Sequence, residues 1–196
     1  MTSRDPIPPL LEGALAPPPA NGLVLLTGVL GASTNWLVLR WVYALLEGRG
    51  HAEAEAEAEA EAEAEAEAEA EAEAEADVTV VLCSFLRDGS FWREGAARMA
   101  LNLVRNERFV FVDGLTGLCM PDARPPGVGS SGDRVLRGTA VADVRKGLED
   151  AVAEAEARAR ARGGRVVLVL DQMDVWLALG EGSAVEVMDM LLGLRE

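Results

Sequence analysis

Short apolar runs alternate along this chain with stretches in which apolar residues recur at helical spacing, and this alternation limits its fold more than any other feature. The runs are 23–27 (LVLLT), Val78–Ser84 (VTVVLCS), 108–112 (RFVFV) and 165–170 (RVVLVL). Such runs suit strands buried on both faces of a parallel sheet, with the intervening helices as crossovers and cover. The first run should lead through a glycine-containing turn into a helix over Asn35–Glu47. After the second, Ser90 can cap a helix whose apolar face is Trp92, Ala96, Met99, Ala100 and Leu103. The third ends at Asp113-Gly114, and 121–137, crowded with Pro, Gly and Ser, reads as a mobile loop. A long helix is predicted over 139–162, with Val141, Val144, Leu148, Ala151, Val152, Ala155 and Ala159 as one stripe. Glu154 with Arg158 and Glu156 with Arg160 should pair along it, and Gly163-Gly164 should end it. Asp171 follows the last strand, and Ser183 with Glu186 has the spacing of a capping box for a final helix. The fold class expected is α/β, a mainly parallel sheet in three layers.

At 196 residues one such domain is expected, over 21–196, after a Pro-rich segment 1–20 and interrupted by an Ala-Glu repeat over 52–76. Twelve of the 33 acids lie in that repeat; elsewhere 21 acids face 18 bases, so the formal charge of -15 falls to -3 without it. Composition therefore gives no broad nucleic-acid-binding face. The repeat reads as a solvated insert, since alternation sets Glu against Glu at i and i+4. The two cysteines, Cys83 and Cys119, suggest neither a disulfide framework nor zinc, and fit reduced thiols in a cytoplasmic or nuclear setting. The start of the chain lacks the features of a secretion signal. The apolar stretch 23–46 is long enough to span a bilayer, but Gly28, Gly31, Ser33, Thr34 and Asn35 break it with turn chemistry, so no membrane partner is expected.

A glycine turn between a first strand and a first helix is where phosphate-binding loops sit, their backbone N–H groups facing the anion and a lysine neutralising it. Aligning Gly28 with the first glycine of that motif places Ser33 at the second glycine, Thr34 at the lysine and Asn35 at the magnesium-binding hydroxyl. Three of the four defining positions fail. The chain's one lysine, Lys146, lies in the long helix, so no shifted alignment supplies the cation. Asp171 stands where such folds hold magnesium, but without the loop a strand-end carboxylate reads first as a turn or cap residue. His51 stands alone, and no cofactor is expected. Arg87 and Asp88 are expected to form a local ion pair or a subunit contact. Of the four tryptophans, Trp36, Trp41 and Trp92 are expected to pack in the core, although all four, with Trp176, are large enough to anchor interfaces.

Several separated runs carry a resemblance: LLTGVLGASTNWLVLR (25–40), SFLRDGSFWREGAAR (84–98), RFVFVDGL (108–115) and VVLVLDQMDVWLALG (166–180). In this order they resemble the sixth subunit of the Elongator complex in its fungal form. The resemblance implies a RecA-like fold without working nucleotide motifs. It further implies a heterohexameric ring shared with the fourth and fifth Elongator subunits, docked on the catalytic subcomplex. Through that ring it implies tRNA binding and support of wobble-uridine modification. A RecA-like sheet has more than four strands, so a C-terminally shortened form is an expectation.

Three readings follow. The first is a scaffold subunit without chemistry of its own. The second is an ATPase that completes its site across a subunit interface. The third is an RNA-binding module gripping phosphates through Arg124, Arg134 and Arg137.

Overall fold

Three of the four apolar runs pair as strands in the computed structural model, which describes residues 22–28, 32–47, 77–120, 133–179 and 182–194. The Pro-rich segment, the Ala-Glu repeat, His51, Gly31 and Arg124 lie outside the described residues. By its contacts the chain divides into two units, Met1–Ala74 and Glu75–Glu196.

In the first unit, helix α1 spans Asn35–Glu47 as the periodicity predicts. Its buried residues Val38, Trp41, Val42, Leu45 and Leu46 follow the i, i+3, i+4, i+7, i+8 spacing of one helical face. Trp36 departs from expectation: it sits about 200° around the wheel from Val38, off that stripe, and is 52 % exposed. The run 23–27 forms no strand, and Leu25 is 81 % exposed. Apolar composition makes a strand only where a neighbour takes up the backbone N–H and C=O groups, and no ladder forms there among the described residues.

In the second unit, β1 (Val78–Ser84), β2 (Phe109–Asp113), β3 (Arg134–Val135) and β4 (Arg165–Asp171) form one parallel sheet in the order β3-β2-β1-β4. β1 is buried along its whole length, as a central parallel strand must be. The fourth strand comes from the stretch read as a loop: Arg134 pairs with Val112, and the Leu136 N–H donates to the Asp113 carbonyl at 2.9 Å. The buried Leu136 side chain anchors this edge, so the end of the Pro/Gly-rich stretch is packed.

Six helices accompany the chain among the described residues: α1, α2 (Gly89–Arg98), α3 (Gly114–Cys119), α4 (Val141–Arg160), α5 (Met173–Leu179) and α6 (Ala184–Gly193). The α2 cap is Asp88, whose carboxylate accepts from the Phe91 N–H at 2.9 Å; Ser90 instead donates its hydroxyl to Asp88. The helix stops at Arg98, and Ala100 has φ 63°, so Met99, Ala100 and Leu103 fall outside it. The α4 stripe and its end agree with the sequence: Val144, Leu148, Ala151, Ala155 and Ala159 are buried, Gly163 has φ +68°, and the Gly164 N–H closes on the Ala159 carbonyl at 2.9 Å. Both predicted ion pairs form, Glu154 with Arg158 and Glu156 with Arg160.

The connection from β1 to β2 and that from β3 to β4 cross the sheet in opposite directions. Right-handed crossovers then place α2 and α4 on opposite faces. Burial agrees: Val81, Cys83, Phe85 and Val112 join α4, Trp176 and α6 in one core, while alternation turns Val80, Leu82 and Phe111 to the face where α2 packs on β2. The result is an α/β sheet flanked by helices, in keeping with a three-layer RecA-like arrangement. No helix among the described residues is long and apolar enough to cross a membrane.

Candidate functional site

Parallel strands end together, and here Ser84 of β1 stands in register with Asp113 of β2 and Asp171 of β4. β1 runs out toward α2 on one face and β4 toward α5 on the other, so the chain parts between Ser84 and Asp171. Crevices at such points are where open α/β sheets bind ligands.

Here the two strand ends are bridged. The Ser84 hydroxyl donates to Asp171 Oδ2 at 2.7 Å in a buried bond, and Ser84 Oγ accepts the Arg87 N–H at 3.0 Å. Asp171 is 3 % exposed. Burial holds its carboxyl above the usual carboxylate range, against the opposing pull of the Ser84 hydrogen bond and the Arg87 charge. The following residue, Gln172, takes φ 57°, a left-handed conformation unusual outside glycine. Asp171 is therefore neither the turn residue nor the helix cap that the sequence suggested; it is bound sideways to the neighbouring strand.

Asp113 is the capping residue at this edge, accepting from the Thr116 N–H at 2.8 Å and the Thr116 hydroxyl at 2.7 Å. Gly114 lets α3 start here, because a Cβ at that position would lie 2.6 Å from the Phe85 ring. Phe85 stacks on Trp176 at 5.5 Å, and the Trp176 indole N–H donates to the Thr139 carbonyl at 2.9 Å. The Cys83 thiol is sealed beneath, pushed far up by burial and then by Asp113 and Asp171, so it is no nucleophile. Arg87 and Asp88 form no local ion pair with each other: Arg87 lies over the Phe91 ring at 5.0 Å, and Asp88 caps α2. The α2 and α3 caps hold Asp88 and Asp113, and no group of three potential ligands that could hold a metal occurs among the described residues.

The phosphate-loop positions belong to the first unit. Gly28 is exposed, the Ser33 hydroxyl accepts from the Asn35 N–H at 3.3 Å, and the Thr34 carbonyl takes the Leu37 and Val38 N–H groups at 2.9 and 3.0 Å. Ser33 and Thr34 thus start α1. Of the arginines read as phosphate contacts, Arg134 is paired with Glu154, while Arg137 is exposed. Both line a cleft of about 450 Å³ along β3 and α4 that also carries Lys146, yet Asp133, Asp143 and Asp150 line it too. Its charge is mixed, which suits a phosphate backbone poorly. Sequence reasoning found Asp171 and missed Ser84, which lies 87 residues away. No family model, curated protein or solved structure matches this chain.

Proposed function

We propose that this chain is a non-catalytic RecA-like subunit of the Elongator accessory ring. It would alternate there with the fourth and fifth subunits and support tRNA binding and wobble-uridine modification in the cytoplasm, without a cofactor of its own. The observation that carries the reading is the buried Ser84–Asp171 bond. The carboxylate at the magnesium-holding position already has a protein partner, and no lysine stands in the first turn to neutralise a triphosphate. Support also comes from the sequence runs that resemble the sixth subunit.

Co-expression with the two ring partners, followed by native mass measurement, tests the proposal; the expected product is a heterohexamer containing this chain. Titration calorimetry of the purified chain with magnesium and ATP should give no heat of binding. Tight magnesium-dependent capture, with turnover abolished by changing Thr34 or Asp171, would establish the interface ATPase instead.

A further inference from the structure

Helix α6, Ala184–Gly193 (AVEVMDMLLG), carries apolar residues on two sides. Glu186 and Asp189 are its charged residues, and it has no basic residue in its last turn. One side is spent on the core: Val187 and Met190 are buried, with Leu191 and Leu194 packed beside them. The opposite side carries a second apolar stripe, with Val185 70 %, Met188 49 % and Leu192 47 % exposed. A helix with apolar residues on both sides is ordinarily covered on both sides. Ser183 and Glu186 fix its start through a complete capping box, and the Glu186 carboxyl is held below the usual carboxylate range by those hydrogen bonds. The stripe therefore has a fixed start, and at about 100° per residue Asp189 borders it next to Val185, whereas Glu186, its carboxylate held by Ser183, lies farther round on the same side.

We propose that this stripe of α6 docks a different polypeptide through a helix whose apolar ridge is flanked on one side by Arg or Lys. The charge pattern selects that occupant over a second copy. In an antiparallel two-fold pair the acidic flanks of two α6 helices fall on the same side and repel. The chain's net charge of -15 opposes self-association further. A basic flank on the partner meets Asp189 instead and sets the register. The inference rests on the scaffold reading, since it names one surface by which this chain joins its ring.

Full-length chain, wild type and variants, is co-expressed with the fourth and fifth Elongator subunits, and ring content is read by native mass. Met188→Glu with Leu192→Glu should lower incorporation at least tenfold. Asp189→Arg should lower it several-fold and flatten its salt dependence. Because all three positions are exposed, thermal melts of the isolated variants should match the wild type. Incorporation unchanged in both variants while wild type assembles would overturn the docking surface and leave the ring reading standing. A wild-type chain that joins no ring would remove the ring reading and this inference with it. An isolated chain that dimerises through Met188 and Leu192 would assign the stripe to a second copy, which also overturns the proposal.

Discussion

Two buried polar residues behave oppositely because one is satisfied and the other is not. Removing the Asp171 carboxylate leaves the Ser84 hydroxyl buried without an acceptor, so Asp171→Ala should cost about 1–3 kcal/mol in urea unfolding. Asp171→Asn keeps an acceptor and removes the charge. The folded state holds the Asp171 proton more tightly than the unfolded chain does, because burial raises its pKa. Its contribution to stability is therefore fully present below the usual carboxylate range and is lost as pH rises through the raised folded value. Asp88 has the opposite sign: the Phe91 N–H lowers its pKa, so its contribution is present at neutral pH and is lost as the solution is acidified. Asp171→Asn should consequently gain on the wild type as pH rises from about 3 to 7, followed by the urea midpoint; a constant difference across that range would refute the burial argument. At the other end of the sheet region, the Thr79 hydroxyl is buried with no hydrogen-bond partner among the described residues. Thr79→Val removes an unsatisfied group at nearly constant shape and should stabilise by about 1 kcal/mol in the same assay.

Elements whose signal lies within their own residues were legible, and those made by distant partners were not. α1, α4 and α6 were legible through apolar spacing, with Gly163-Gly164 marking the end of α4 and Ser183 with Glu186 the start of α6. The run 23–27 has strand composition yet forms no strand, because pairing is a property of neighbours. β3 has two residues and no apolar run, and exists because β2 offers an edge and Leu136 a buried anchor. Neither α3 nor α5 is expected from the sequence: at six and seven residues both are too short for a long apolar period, and α5 begins after a left-handed Gln172. Of the candidate site, Asp171 was visible as a strand-end acid, while its partner required the register of β1 against β4. The adjacent glycines that end α4 separate two kinds of constraint. Gly163 has positive φ and open space around it, so Gly163→Ala should cost about 1 kcal/mol from backbone strain alone. At Gly164 a Cβ would lie 1.9 Å from the Asp77 carbonyl oxygen, backbone that also receives the Arg165 N–H. Gly164→Ala should therefore cost about 3 kcal/mol or more by forcing β4 away from β1. Equal thermal shifts for the two variants would mean that the close approach is not what holds this junction.

At the scale of the whole molecule, solubility and folding rest on different parts of the chain. The core belongs to sheet and helices of the second unit, whereas most of the net charge belongs to the Ala-Glu repeat, whose removal from the count takes -15 to -3. Uncovered apolar surface remains at Leu25, Val185, Met188 and Leu192, which favours association, and a net charge far from zero opposes it. Changing the 12 Glu of the repeat to Gln keeps length and polarity while removing the repulsion. The variant should keep the wild-type urea midpoint, because every residue of the described core is left in place. It should self-associate at neutral pH and low salt where the wild type does not, as read by light scattering across a concentration series. Salt should narrow the gap, since screening over about 10 Å at 0.1 M weakens the wild type's repulsion as the substitution does. A variant as dispersed as the wild type at every concentration would show that the repeat's charge does not keep the chains apart, and would place that role in the remaining, nearly balanced surface.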